Sequence, residues 1–135
     1  DISAELVETG CREELGEALI AVKRPQFAIN ATFELTSFDR PAAYGIAQSL
    51  FTHLVPDDIS RCLGNVAVWA APEIRFFATF FEGRSADNPQ ASDPHLGFAY
   101  SREEIHRFAA GAGLRVRFID DFRHPRNQKM AEFTR

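Results

Sequence analysis

Apolar residues recur along the chain in two rhythms. The helical rhythm is clearest in YSREEIHRFAAGAGL, where Ser101 occupies an N-cap position and Glu104, three residues on, completes a capping box. Tyr100 and Ile105 stand where a hydrophobic staple belongs. Ile105, Phe108, Ala109 and Ala112 then share one face, and Gly113 supplies a left-handed stop. A second helix is predicted from Pro56, a favoured first helical residue, with Asp57 and Asp58 at the positive end of its dipole. Its stripe is Ile59, Cys62, Leu63, Val66 and Ala70, and Pro72 bars continuation. A third begins near Ser3, with Ala4, Val7, Cys11, Leu15 and Ala18 on one side and Gly10 and Gly16 weakening it.

The other rhythm is short and nearly continuous. QFAIN, YGIAQSLF and IRFFATFF read as strands covered on both faces. LRVRFID and KMAEFT lie close together, joined by HPRNQ, and predict a terminal antiparallel pair. The order is helix, strand, strand, helix, strand, helix, strand, strand. It predicts one domain, residues 1–135, of the α/β class: an open, mostly parallel, Rossmann-like sheet with helices on both faces. EGRSADNPQASDPHLG is rich in turn formers and is predicted to be a mobile loop. Ligands of open parallel sheets bind beyond the carboxyl ends of the strands, which singles out the loops after Asn30, Ala47 and Phe80.

Composition narrows the function. A net charge of −4 argues against general nucleic-acid binding, which needs a basic footprint. No apolar run approaches a membrane span, and no signal peptide is visible. Cys11 and Cys62 form no CxxC pair, which predicts a reduced, cytoplasmic protein without a zinc or redox motif. His95, His106 and His124 lack ligand-like spacing, so no metal site is expected. The chain opens on Asp in mid-pattern, the expectation being a processed, cut or partial sequence. The stretch QSLFTHL carries the most chemistry, because a strand there releases Gln48, Ser49, Thr52 and His53 at its carboxyl end. An imidazole titrating near neutrality can take a proton from an oxygen or nitrogen nucleophile; the alternative role is a structural hydrogen bond capping the next helix.

In this order, the chain resembles the class I S-adenosylmethionine-dependent methyltransferases. AQSLFTHLVPDDISRCLGNV is similar to the fourth strand, its loop and the next helix; APEIRFFATFFEG is similar to the fifth strand. AYSREEIHRFAAGAGLRVRFID resembles the last helix and sixth strand, HPRNQKMAEF the final hairpin, and DIS the acidic end of the second strand. The family's opening strand and GxGxG turn are absent, so the resemblance implies a domain without its first strand and helix. APEIR stands where the family often has a Pro-Gly-Gly turn.

The resemblance implies S-adenosyl-L-methionine as cofactor and a small-molecule methyl acceptor. Asp1 corresponds to the carboxylate that accepts from the ribose hydroxyls. Asn30 falls beside the adenine, where a turn-forming role is the alternative. Gln48 and Ser49 face the methionine and sulfonium end, or else satisfy strand-end backbone groups. His53 is the candidate catalytic base, and Glu82 a further polar contact or plain surface. The strand near Ala43 to Ser49, normally beside the first strand, should lack a partner on one edge, which homo-oligomer formation would remedy. The rival expectation is a non-catalytic binding or assembly module that keeps the fold.

Overall fold

The computed structural model describes residues 2–135; the Asp1 assignment lies outside them. The chain divides into two compact units, one ending at Arg40 and one running Pro41–Arg135.

The first unit is helical, then irregular. Helix α1, Ala4–Thr9, starts where Ser3 accepts the Leu6 N–H at 3.2 Å. A π-helical turn, Gly10–Leu15, follows, and α2, Gly16–Lys23, begins at a glycine with φ of +71°. The two glycines that weaken the pattern thus mark the bounds of the π turn. Arg24 ends α2 in the left-handed region. The strand expected at QFAIN does not form, and Phe27 and Ile29 are about half exposed. Pro25 brings no N–H, and the Asn30 side chain takes over the local backbone: its Oδ1 accepts from Thr32 N and Glu34 N, and its Nδ2 donates to Glu34 O. Such local bonds compete with a ladder.

The second unit is a mixed, open sheet with helices. Strands β1 (Tyr44–Ala47), β2 (Arg75–Glu82), β3 (Ala99–Tyr100), β4 (Arg115–Ile119) and β5 (Lys129–Thr134) join helices α3 (Pro56–Trp69) and α4 (Arg102–Gly111). The order across the sheet is β1-β2-β5-β4, with β3 beside the end of β2. β1 and β3 pair with β2 in parallel; β5 pairs antiparallel with both β2 and β4, the expected terminal pair. Among the described residues β1 is paired on one side only, as an edge strand.

Alternation along β2 sends Phe76, Ala78 and Phe80 to one face, where Ala131 and Phe133 of β5 join them, all buried. Phe133 lies between Phe51 and Phe76, with ring centroids 6.2 and 6.1 Å away. α3 contributes Ile59, Cys62, Leu63 and Val66, and α4, which packs on α3, contributes Ile105 and Ala109. The capping box of α4 is complete, and Tyr100 meets Phe108 edge to face at 5.5 Å. On the opposite face of the sheet Tyr44 and Ile46 of β1 are exposed, so this strand is half-buried rather than covered on both sides. There Glu132 of β5 is buried between Arg75 Nε at 2.5 Å and Arg117 Nε at 2.9 Å.

Candidate active site

β1 ends at Ala47, and the next two residues are held in opposite ways. Gln48 is exposed. Ser49 adopts φ of +56°, a left-handed conformation that costs a non-glycine residue about 1–2 kcal/mol. Three bonds offset that cost. Its N–H donates to Thr79 Oγ1 at 2.7 Å, its carbonyl accepts from Thr52 Oγ1 at 2.8 Å, and its hydroxyl lies 3.0 Å from Nε2 and 3.2 Å from Oε1 of Gln128. Thr79, Thr52 and Gln128 are themselves buried. A polar knot therefore ties the carboxyl end of β1 to the middle of β2 and the start of β5, turning the chain sharply after the strand.

The chain then makes one 3-10 turn, Phe51–His53, with Phe51 driven into the core and His53 left partly exposed. The His53 ring is held by the Leu96 carbonyl, 2.8 Å from Nδ1. Leu96 belongs to the tract between β2 and β3, which is tied down along its length. Asn88 donates to and accepts from the backbone of Ala99, both at 2.9 Å. Ser85 hydrogen-bonds Glu104. Ser92 Oγ accepts from Val55 N at 2.9 Å and donates to Asp58 at 2.5 Å. Asp93 N and Phe98 N donate to the carbonyls of His53 and Thr52, at 3.0 and 2.9 Å. Residues 92–98 thus form a strap beside residues 52–55, not the loose loop the composition suggests.

Gln48, Ser49 and His53 are brought together at the carboxyl end of β1. Asn30 lies in the first unit, where its side chain organises the 30–34 turn. Glu82 is paired with Arg102 at 2.8 Å. Three residues of the site were not singled out from the pattern: Thr79, Gln128 and Ser92. Gln128 carried a signal, a polar side chain leading directly into an apolar strand. Burial pushes the Cys62 thiol up to about 12, which keeps it protonated and unreactive. Burial likewise pushes the Tyr100 phenol up to about 12, and its hydroxyl donates to Leu54 O. Among the described residues no group of three His, Cys, Asp or Glu is placed to hold a metal ion, and no helix is long and apolar enough to cross a membrane.

This arrangement, a turn at the carboxyl end of a parallel strand flanked by α3 and α4 and a terminal antiparallel pair, matches part of the fold of class I S-adenosylmethionine-dependent methyltransferases. Solved structures share it. CalO1, a methyltransferase in calicheamicin biosynthesis crystallised with S-adenosylhomocysteine, superposes with a TM-score of 0.68 at 17% identity over 97% of this chain and 39% of its own. Human N-acetylserotonin methyltransferase, in complex with S-adenosylmethionine, gives 0.67 at 12% identity over 97% and 38%. NcsB1, an O-methyltransferase from neocarzinostatin biosynthesis solved with S-adenosyl-L-homocysteine and 1,4-dihydroxy-2-naphthoic acid, gives 0.57 at 18% identity over 96% and 37%. The chain spans about two fifths of the length of these proteins. No family model matches the sequence, and no curated protein matches it.

Proposed function

We propose that this chain is part of an S-adenosylmethionine-dependent methyltransferase acting on a small-molecule acceptor. The observation that carries the reading is the turn at the end of β1, which places exposed Gln48 and partly exposed His53 where open α/β sheets bind ligands. The donor set suits the cofactor in part. A sulfonium is cationic and poorly hydrated, and the Gln48 amide oxygen is a neutral acceptor able to face it. Ser49, whose polar atoms Thr79, Thr52 and Gln128 already engage, contributes by fixing the turn that presents Gln48. Asp1 is assigned the ribose hydroxyls and Asn30 the adenine. When bound, S-adenosylmethionine supplies an electrophilic methyl carbon. His53 accepts the proton released by the acceptor.

Calorimetric titration with S-adenosylhomocysteine tests the reading, on this chain and on a form extended upstream of Asp1. The extended form should bind, and this chain, lacking a GxGxG turn, much more weakly. In the extended form, Asp1→Ala should raise Kd at least tenfold, since a hydrogen bond to a charged group is worth about 1.5–3 kcal/mol. His53→Ala should leave cofactor affinity unchanged while slowing turnover. Absence of binding by both forms would overturn the proposal in favour of a binding or assembly module that keeps the fold.

A further inference from the structure

The ring of His53 is held by a group of fixed polarity. A backbone carbonyl only accepts, so the 2.8 Å contact between His53 Nδ1 and Leu96 O requires the hydrogen to sit on Nδ1. In the neutral ring the lone pair is then on Nε2. Whether the imidazole keeps that form depends on whether Leu96 stays in place, and Leu96 lies on the strap. The strap is fastened at its start by Ser92, which at once takes the Val55 N–H and gives its own hydrogen to Asp58. Farther along it is closed by the Asp93 and Phe98 amides on the carbonyls of His53 and Thr52.

We propose that the strap 92–98 is the positioning element of His53: Leu96 O selects the Nδ1–H tautomer, and Ser92 is the positioning residue that clasps the strap to α3. Its catalytic meaning rests on the reading of His53 as a base. The proton leaving the acceptor goes to Nε2, and the imidazolium so formed keeps its Nδ1–H on the Leu96 carbonyl. The charged and titratable groups on the surrounding segments are Asp93 and His95 of the strap and Asp57 and Asp58 of α3's first turn. Asp58 is engaged by Ser92 and by Arg61 at 3.0 Å, and Asp93 Oδ1 accepts the His95 N–H at 2.7 Å. Both carboxylates are thus engaged elsewhere than on the His53 ring.

The test is a long-range proton–nitrogen correlation spectrum of the uniformly labelled chain, recorded above the histidine titration range. His53 should show a protonated Nδ1 and a pyridine-type Nε2, opposite to the preference of free histidine in water. Ser92→Ala should move the tautomer ratio back by about fivefold, the weight of one hydrogen bond, and Ser92→Thr should restore it. An Nε2–H tautomer in the unaltered protein would overturn the proposal by itself, whatever the variants do. So would a folded Ser92→Ala protein with an unchanged ratio. The measurement needs no cofactor, so failure of both this chain and the extended form to bind S-adenosylhomocysteine would overturn the proposed function and leave this result standing.

Discussion

Replacing Thr79 by Val tests whether the polar knot sustains the turn after β1. Valine keeps the shape of threonine and removes the single oxygen that accepts the Ser49 N–H at 2.7 Å. Thr79 is fully buried, so no water lies in wait at that position, whereas Ser49 is half-buried and can be rehydrated in part. A buried donor left unpaired costs about 1–3 kcal/mol, and partial rehydration places this one at roughly 1–2 kcal/mol. For a chain of this size that is a fall of about 4–8 °C in Tm. The left-handed φ of Ser49 would lose one of its three anchors, so the turn should also open more often. The assay is thermal unfolding by circular dichroism, paired with hydrogen exchange of individual amides. The Ser49 amide should exchange at least tenfold faster, a larger change than at Ala78 and Phe80, whose exchange follows the global loss of stability. A Thr79→Val protein with unchanged Tm and unchanged exchange at Ser49 would refute the claim that the knot holds the turn.

Two further outcomes concern the scaffold. Burial pushes the Glu132 carboxyl up, but its hydrogen bonds to Arg75 and Arg117 more than offset this and hold it below the usual range. A depressed carboxylate stabilises the fold fully above its unfolded value near 4.3, and the contribution is lost as pH falls through the lower folded value. Glu132→Gln should therefore be less stable than the unaltered protein at neutral pH and converge with it in acid, as read from unfolding curves between about pH 7 and about pH 3. Ser101→Ala removes the side chain that accepts the Glu104 N–H and should lower stability by about 1 kcal/mol, seen as a reduced urea midpoint at constant slope.

Elements whose signals are local were legible in the sequence. α4 begins at Ser101 because the capping box lies within four residues, and α3 begins at Pro56 for reasons equally short in range. The terminal pair β4–β5 followed from two apolar runs a turn apart. Range decided what was hidden. Gln128 meets Ser49 across 79 positions and Leu96 meets His53 across 43, so no local periodicity announces either contact. The tract before β3 has the composition of a loop, yet Asn88, Ser92 and Asp93 use that same polar character to bind it down. QFAIN failed for the converse reason. Its apolar pattern suits a strand, but Asn30 offers the backbone a nearer partner. Gln48 and His53 were visible because a strand that suddenly turns polar is an anomaly in its own neighbourhood. Asn30 was visible for the same reason, and its side chain bonds the backbone of residues 32 and 34.

The position of β5 has a consequence for how the molecule is made. β5 follows β4 in the chain yet lies between β2 and β4, and it also brings Gln128 to the knot under Ser49. While the chain leaves the ribosome, β4 has its principal sheet partner still to come, and β2 shows an open, aromatic-rich edge. Nascent chains that stop short of Lys129 therefore expose unpaired strand edges of the kind most prone to join other strands. The turn bearing Gln48 and His53 acquires its last anchor only when β5 threads into the middle of the sheet. Assembly of the centre thus reports that synthesis of this segment is complete.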